Sequence, residues 1–238
     1  MSRVTIVGLG GSLAKHSSSL SALSVALEGA LEHGAAVRLF DLRELNLPMF
    51  VPDADPTPVA ARELCDAVFA AHGMLWSSPL YHGTVSGSFK NALDWLQLLS
   101  DRNPPYLTDK VVGLISTAGG THGLQAVNTM EFVVRALRGW AVPLVLPIPQ
   151  AWQAFKGGQV LDKRVEEQLR ALGRELARAA QVFAAGTITT ARRAKWRHRS
   201  HHCVDTCRGL IRRQSAKAAD NGGCGPPQPN FKPSGTAL

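Results

Sequence analysis

The chain has 238 residues, is 45% hydrophobic and 18% charged, and carries a formal net charge of +8, a composition suited to a folded protein with one large core or two small ones. The charge is uneven: residues 1–185 hold 16 Lys/Arg against 16 Asp/Glu, while residues 186–238 hold the other 10 basic groups with only Asp205 and Asp220. The body therefore offers no electrostatic footprint for nucleic acid, the four cysteines make no disulfide framework, and no run of about 18 apolar residues predicts a membrane span.

The first residues run straight into an apolar strand without a signal-peptide layout, so the expected address is the cytoplasm. Val4–Val7 predicts a buried strand, and residues 17–33, with Leu20, Leu23, Val25, Leu27 and Leu31 among alanines, a helix. Val37–Phe40 predicts a second strand, residues 41–58 a loop, and residues 58–72 a helix. A third strand is expected over 74–78 and a helix over 87–99, with Phe89, Ala92, Leu93, Leu96 and Leu99 on one face. Val111–Ile115 predicts a fourth strand, 124–138 a helix, Val142–Leu146 a fifth strand, and 162–184 a closing helix. Five apolar strands alternating with five helices predict an α/β domain over residues 1–185, with a five-stranded parallel sheet covered on both faces. Ligands of such sheets sit at the carboxyl ends of the strands. The loops at 8–19, 77–88 and 116–124 fall there, and all three are rich in Gly, Ser and Thr.

The first loop, Gly8-Leu9-Gly10-Gly11-Ser12-Leu13-Ala14-Lys15-His16-Ser17-Ser18-Ser19, begins like a dinucleotide fingerprint but has Leu13 where the third glycine belongs. In that reading Asp41 would hold a ribose. The hydroxyls of Ser12, Ser17, Ser18 and Ser19 around Lys15, ahead of a helix, suit a terminal phosphate. A serine-rich helix cap explains part of the same pattern.

Two further motifs carry a resemblance. Pro79-Leu80-Tyr81, followed by Gly87-Ser88-Phe89-Lys90-Asn91-Ala92-Leu93-Asp94-Trp95, resembles the Pro-x-Tyr and Gly-x-Leu-Lys-Asn-Ala-x-Asp-Trp segments of the NADPH-dependent FMN reductase family. Gly11-Ser12-Leu13-Ala14-Lys15-His16-Ser17 resembles that family's first loop, with Ala14 in place of its arginine and Lys15 as a substitute charge. Ser116-Thr117-Ala118-Gly119-Gly120-Thr121-His122 resembles its second flavin-edge loop, most closely in the alkanesulfonate-linked FMN reductases. The resemblance covers about residues 3–185. It implies a flavodoxin-like three-layer sandwich, FMN as cofactor, NADPH or NADH as co-substrate, and a homo-oligomer, either dimer or tetramer. It also implies a flavin-dependent monooxygenase as a partner.

On this reading Ser12, Lys15, Ser17, Ser18 and Ser19 hold the phosphate. Pro79, Leu80, Tyr81, His82, Gly83, Thr84, Thr117, Gly119, Gly120, Thr121 and His122 border the flavin ring. No side chain is assigned a catalytic role, because hydride transfer is the cofactors' own chemistry. Plainer readings stand beside these: His82 and His122 as exposed loop histidines, Lys90 and Asp94 as a helix-surface pair, and Cys65 as a small core residue. Trp95, off the Phe89–Leu93–Leu96 face, is expected at a subunit contact. Residues 186–238 read as a basic, Gly/Pro-containing, disordered tail, with His201, His202, Cys203 and Cys207 as a metal-site alternative. The rival functions are an FMN-bearing quinone, azo or metal-ion reductase, an electron carrier without nicotinamide activity, and a flavoprotein that binds nucleic acid through its tail.

Overall fold

The structure, a computed structural model, describes residues 3–193. The Cys/His group at 201–207 and most of the basic tail lie outside the described residues.

Strand β1 (Thr5–Gly10) leads to helix α1 (Ser18–Glu32), which Ser17 caps by accepting from the Leu20 N–H. Strand β2 (Ala36–Asp41) runs into a short helix α2 (Leu42–Leu45), capped by Asp41, within the segment expected to be loop. Helix α3 (Val59–Ala70) follows, then strand β3 (Gly73–Tyr81), a two-residue strand β4 (Thr84–Val85) and helix α4 (Gly87–Trp95), which continues as a 3-10 turn over Leu96–Leu99. Strand β5 (Val111–Thr117), helix α5 (Leu124–Ala136) and strand β6 (Trp140–Ile148) complete the sheet. A short helix α6 (Ala151–Ala154) and a hairpin of β7 (Phe155–Lys156) and β8 (Gln159–Val160) precede helix α7 (Lys163–Arg193).

The order β2-β1-β3-β5-β6, all parallel, is the flavodoxin-like arrangement, and β4 adds an antiparallel hairpin on β3. Side-chain alternation divides the core. Val7, Leu9, Met74, Trp76, Val112 and Leu114 pack under α3, α4 and α5. Ile6, Leu75, Val111 and Ile115 pack under α1 and α7. Both faces are buried, so the strands read as continuous apolar runs. No helix among the described residues is long and apolar enough to cross a membrane.

Two expectations change. Trp95 is not at the surface: it is 1% exposed, its Nε1–H donates to the Pro48 carbonyl at 2.9 Å, and its ring meets the edge of Phe50 at 5.2 Å. The segment before α3 folds over that side of α4 and gives it a second buried face. Helix α7 also runs past residue 184, where the closing helix was expected to stop, and its described part reaches Arg193. Gly186 does not stop it, since an interior glycine costs a helix only about 1 kcal/mol.

Candidate functional site

The glycines that open the first loop have structural tasks. A Cβ on Gly8 would lie 2.7 Å from Leu27, and one on Gly10 only 2.2 Å from the Ser77 carbonyl oxygen. The Gly11 N–H donates to that same carbonyl at 3.1 Å, with Gly11 at φ +96°. Asp41, the candidate ribose partner, accepts from the Arg43 N–H at 3.0 Å and caps α2. Packing and helix capping thus account for these glycines and for Asp41 without a dinucleotide.

The loop's hydroxyls divide into two groups. Ser12 Oγ accepts from the Ala14 N–H at 3.3 Å, and Ser17 Oγ from the Leu20 N–H at 3.2 Å. In each case the hydroxyl proton is left to donate to an anion above the loop. Ser18 is half-buried, and Lys15 and His16 are exposed beside them. Ser19 turns inward: its Oγ accepts from Thr117 Oγ1 at 3.1 Å, and its carbonyl accepts from Ser77 Oγ at 2.8 Å. Ser19, Ser77 and Thr117 thus knot α1, β3 and β5 together beneath the loops. Strand parity places them there, because residues 77 and 117 face α1.

The second loop is a tight hairpin. Leu80 pairs with Val85 and Tyr81 with Thr84. The two turn residues, His82 at φ +48° and Gly83 at φ +85°, are both left-handed, as a two-residue primed turn requires. The turn leaves Tyr81 52% exposed at the carboxyl end of β3. The Ser86 N–H donates to Ser78 Oγ at 3.0 Å, and Ser86 Oγ caps α4 by accepting from the Phe89 N–H at 3.2 Å. Thr84 Oγ1 lies 3.2 Å from Thr129 Oγ1 and ties the hairpin to α5.

The third loop, residues 118–123, is held by backbone bonds on its β6 side. The Ala118 N–H donates to the Ile148 carbonyl, Gln150 N–H to Gly120, and Ala151 N–H to Ala118, each at 2.9 Å. A Cβ on Gly119 or Gly120 would meet nothing within 4 Å. These glycines leave open space over the sheet, with Thr121 and His122 exposed beyond them. Ser116 Oγ is buried beneath this loop without a hydrogen-bond partner.

Sequence reasoning missed a cavity of about 260 Å³ beside the first loop, lined by Leu13, Leu42, Asn46, Leu47, Met49, Gly87, Ser88 and Asn91. Its far wall is the segment read as plain loop, so no local signal marked it.

Burial shifts three titratable groups away from the loops. Burial, then the charge of Asp66, pushes the Cys65 thiol up to about 12, against Arg102. Its Sγ–H donates to the Trp95 carbonyl at 3.3 Å. Burial, then Lys110, lowers His72, and burial lowers Lys110 itself against the opposing pull of Asp109. His72 and Lys110 precede β3 and β5 and so sit at the amino ends of the strands, away from the three loops. The loop end offers hydroxyl and amide donors and open space. That donor set fits a terminal phosphate above Ser12 and Ser17, and the open space over Gly119 and Gly120 fits a planar ring. No group of three His, Cys, Asp or Glu among the described residues is placed to hold a metal ion.

Known proteins resemble this chain in sequence and in fold. The family described as NADPH-dependent FMN reductase matches residues 4–153. The chain is 34% identical over 125 residues to the NADPH-dependent FMN reductase ArsH of Acidithiobacillus ferrooxidans, covering 52% of this chain and 51% of that protein. It is 33% identical over 136 residues to the FMN-dependent NADPH-azoreductase of Staphylococcus haemolyticus, covering 55% and 69%. The chain thus spans about half the length of the ArsH relatives it matches. Among solved structures, the flavoenzyme NAD(P)H:acceptor oxidoreductase FerB of Paracoccus denitrificans superposes with a TM-score of 0.62 at 20% identity, over 76% of this chain and 98% of that one. A flavodoxin, WrbA-like protein of Agrobacterium tumefaciens superposes at 0.55 with 19% identity, over 76% and 99%. These likenesses show the flavodoxin-like fold.

Proposed function

The chain belongs to the NADPH-dependent FMN reductase family, and on that premise we propose that it is an NAD(P)H-dependent FMN reductase serving free flavin or another small acceptor. The observation that carries this reading is the meeting of three hydroxyl- and glycine-rich loops at the carboxyl ends of β1, β3 and β5. Bound FMN would supply the redox chemistry, taking a hydride from the nicotinamide and releasing two electrons to the acceptor.

The chain's own residues bind and orient. Ser12 and Ser17 donate their free hydroxyl protons to the phosphate, with Ser18 beside them, and Lys15 adds charge where the family has arginine. Pro79, Leu80, Tyr81, His82, Gly83 and Thr84 form one border of the ring, and Gly119, Gly120, Thr121 and His122 the other. Ser19 and Thr117 act from below by fixing the first loop to β5.

Titration of the apoprotein with FMN, FAD and riboflavin tests the proposal. FMN is expected to bind tightest, and equal binding of riboflavin would refute the phosphate seat. A second reading, reduction of azo compounds or quinones by the same site, is favoured by the azoreductase relative. Turnover of an azo dye faster than of free FMN would select it.

The proposal includes a homo-oligomer, dimer or tetramer. Its support is the apolar rim at the cavity beside the first loop, where Leu13 is 62% and Met49 78% exposed. Sedimentation showing an active monomer near 25.5 kDa would exclude it. A cytoplasmic address and delivery of reduced flavin to a monooxygenase belong to the same reading. The family's use of NADPH supports the first, and the third-loop sequence supports the second.

A further inference from the structure

Trp152 is 67% exposed and has neither a ring contact nor a hydrogen-bond partner among the described residues. Its setting is nevertheless fixed. Strand β6 ends at Ile148, on the same side of the sheet as the three loops. Gln150 then adopts a left-handed conformation, φ +45°, which is uncommon for a residue with a side chain and marks a position held by its surroundings. The bonds from the Gln150 and Ala151 amides to the carbonyls of Gly120 and Ala118 supply that hold. Ala151 and Ala154 are buried against the core shared with α1 and α7. A four-residue helix with its first and last residues buried turns the middle ones outward, and Trp152 is the first of these. An indole is thereby mounted one residue from backbone bonded to the third loop, on the β6 side of the open space over Gly119 and Gly120.

Trp140 shows the contrast. It is the exposed tryptophan at the opposite end of β6, and its ring rests 5.5 Å from that of Phe183. Trp152 has no such neighbour. A large, rigid, unpaired aromatic beside a ligand site offers a face to another planar ring at low entropic cost.

We propose that Trp152 is a stacking platform for a planar aromatic ring of the second substrate, either the adenine of the nicotinamide co-substrate or an aromatic acceptor. The proposal rests on the FMN reductase reading of the site and adds a residue that neither the motifs nor the resemblance included. Trp152 acts on substrate affinity and leaves the phosphate seat of FMN untouched.

The experiment compares full-length wild type, Trp152→Leu and Trp152→Phe. FMN affinity is measured first, by flavin fluorescence, and should agree across all three. KM is then measured for NADPH and, separately, for a naphthoquinone and an azo dye. Calorimetry of 2′,5′-ADP on the FMN-loaded proteins gives a readout independent of turnover. Trp152→Leu should raise one KM roughly tenfold, the scale of a lost aromatic stack, with kcat changed less than twofold. Trp152→Phe should recover most of the loss. A rise for NADPH with weaker 2′,5′-ADP binding assigns the adenine, and a rise for the quinone or dye alone assigns the acceptor. Unchanged KM values and 2′,5′-ADP affinity in Trp152→Leu, with FMN bound normally, would overturn the stacking role alone. Equal impairment of the Leu and Phe variants would overturn it too, by showing a demand for the indole itself. Failure of the wild type to bind FMN would overturn the site reading and this proposal with it.

Discussion

At the scale of single residues, the hydroxyls of the first loop and the imidazole of His72 make the clearest demands. Ser12→Ala and Ser17→Ala should each weaken FMN binding by about 1–3 kcal/mol, the usual loss when a charged partner is left without its donor. Ser17→Ala should also lower the melting temperature, because it removes the cap of α1. Riboflavin binding should change in neither variant, and parallel losses for both flavins would assign the effect to loop disorder. His72 Nδ1 accepts from the Thr5 N–H at 3.1 Å, so the folded protein needs that nitrogen unprotonated. Burial first, and then the Lys110 charge, hold the imidazole below its ordinary value, which is about 6.5. The unfolded chain therefore takes up this proton before the folded one does. The stability involved is fully present above about pH 6.5 and is lost as the pH falls from there through the lower folded value. Melting temperatures from pH 7.5 to 5.5 should fall more steeply for the wild type than for His72→Asn, whose amide oxygen can accept the same bond without titrating. Parallel curves would remove His72 from the acid response. Neither His72 nor Lys110 stood out in the sequence, since a lone histidine before a strand gives no sign of what it will accept from.

At the scale of elements, the two helical layers each depend on one close contact. On one face α1 and α7 nearly touch: a Cβ on Gly29 would lie 2.2 Å from the Arg170 carbonyl oxygen, and one on Gly173 only 1.8 Å from that of Ala26. Gly173→Ala should cost at least about 1–3 kcal/mol by overpacking, despite alanine's better helix propensity. A denaturant midpoint at or above wild type would show that the helices can separate freely. Around this contact Arg170 reaches Glu28 and Glu32, both at 2.6 Å, and Arg174 reaches Glu32 at 3.1 Å; as exposed pairs they add less than the packing does. On the other face the Lys90–Trp95 segment, singled out as a motif, serves the fold directly. Asn91 Nδ2 and Trp95 Nε1 both donate to the Pro48 carbonyl at 2.9 Å, and Asn91 Oδ1 accepts from the Phe50 N–H at 2.8 Å. Asn91→Ala should free residues 47–50, lower stability by about 1–3 kcal/mol and raise hydrogen exchange at Phe50. Unaltered exchange there would show that the Trp95 bond suffices alone. The sheet was legible because its strands are apolar on both faces and glycines punctuate them. That same uniformity hid which way a given residue points, so Ser19 and Thr117 read as ligand contacts although they face inward. Trp95 was misplaced for a related reason: periodicity assumes one buried face, and the strap over Pro48–Phe50 buries a second.

At the scale of the whole molecule, charge and core divide the chain at nearly the same place. Among the described residues, the two clusters of buried apolar side chains reach along α7 to Ala180, with Phe183 and Ala184 packed at their edge. Residues 194–238 carry eight Lys/Arg against Asp205 and Asp220. All five parallel strands and all three loops precede them. Because α7 continues to Arg193, the informative truncation falls after that residue and not after Ala185. The shortened protein should bind FMN and oxidise NADPH as the full chain does at moderate salt. At low ionic strength the full chain should show the lower KM for NADPH, because a cationic segment raises the local concentration of a polyanion. Near 0.5 M salt, where the Debye length is only about 4 Å, the two forms should coincide. A KM difference that persists at high salt would point to a direct contact from the removed segment to the site. Loss of flavin at every salt concentration would mean that residues 194–238 complete the fold, and metal analysis of the full chain would then decide whether His201, His202, Cys203 and Cys207 are the reason.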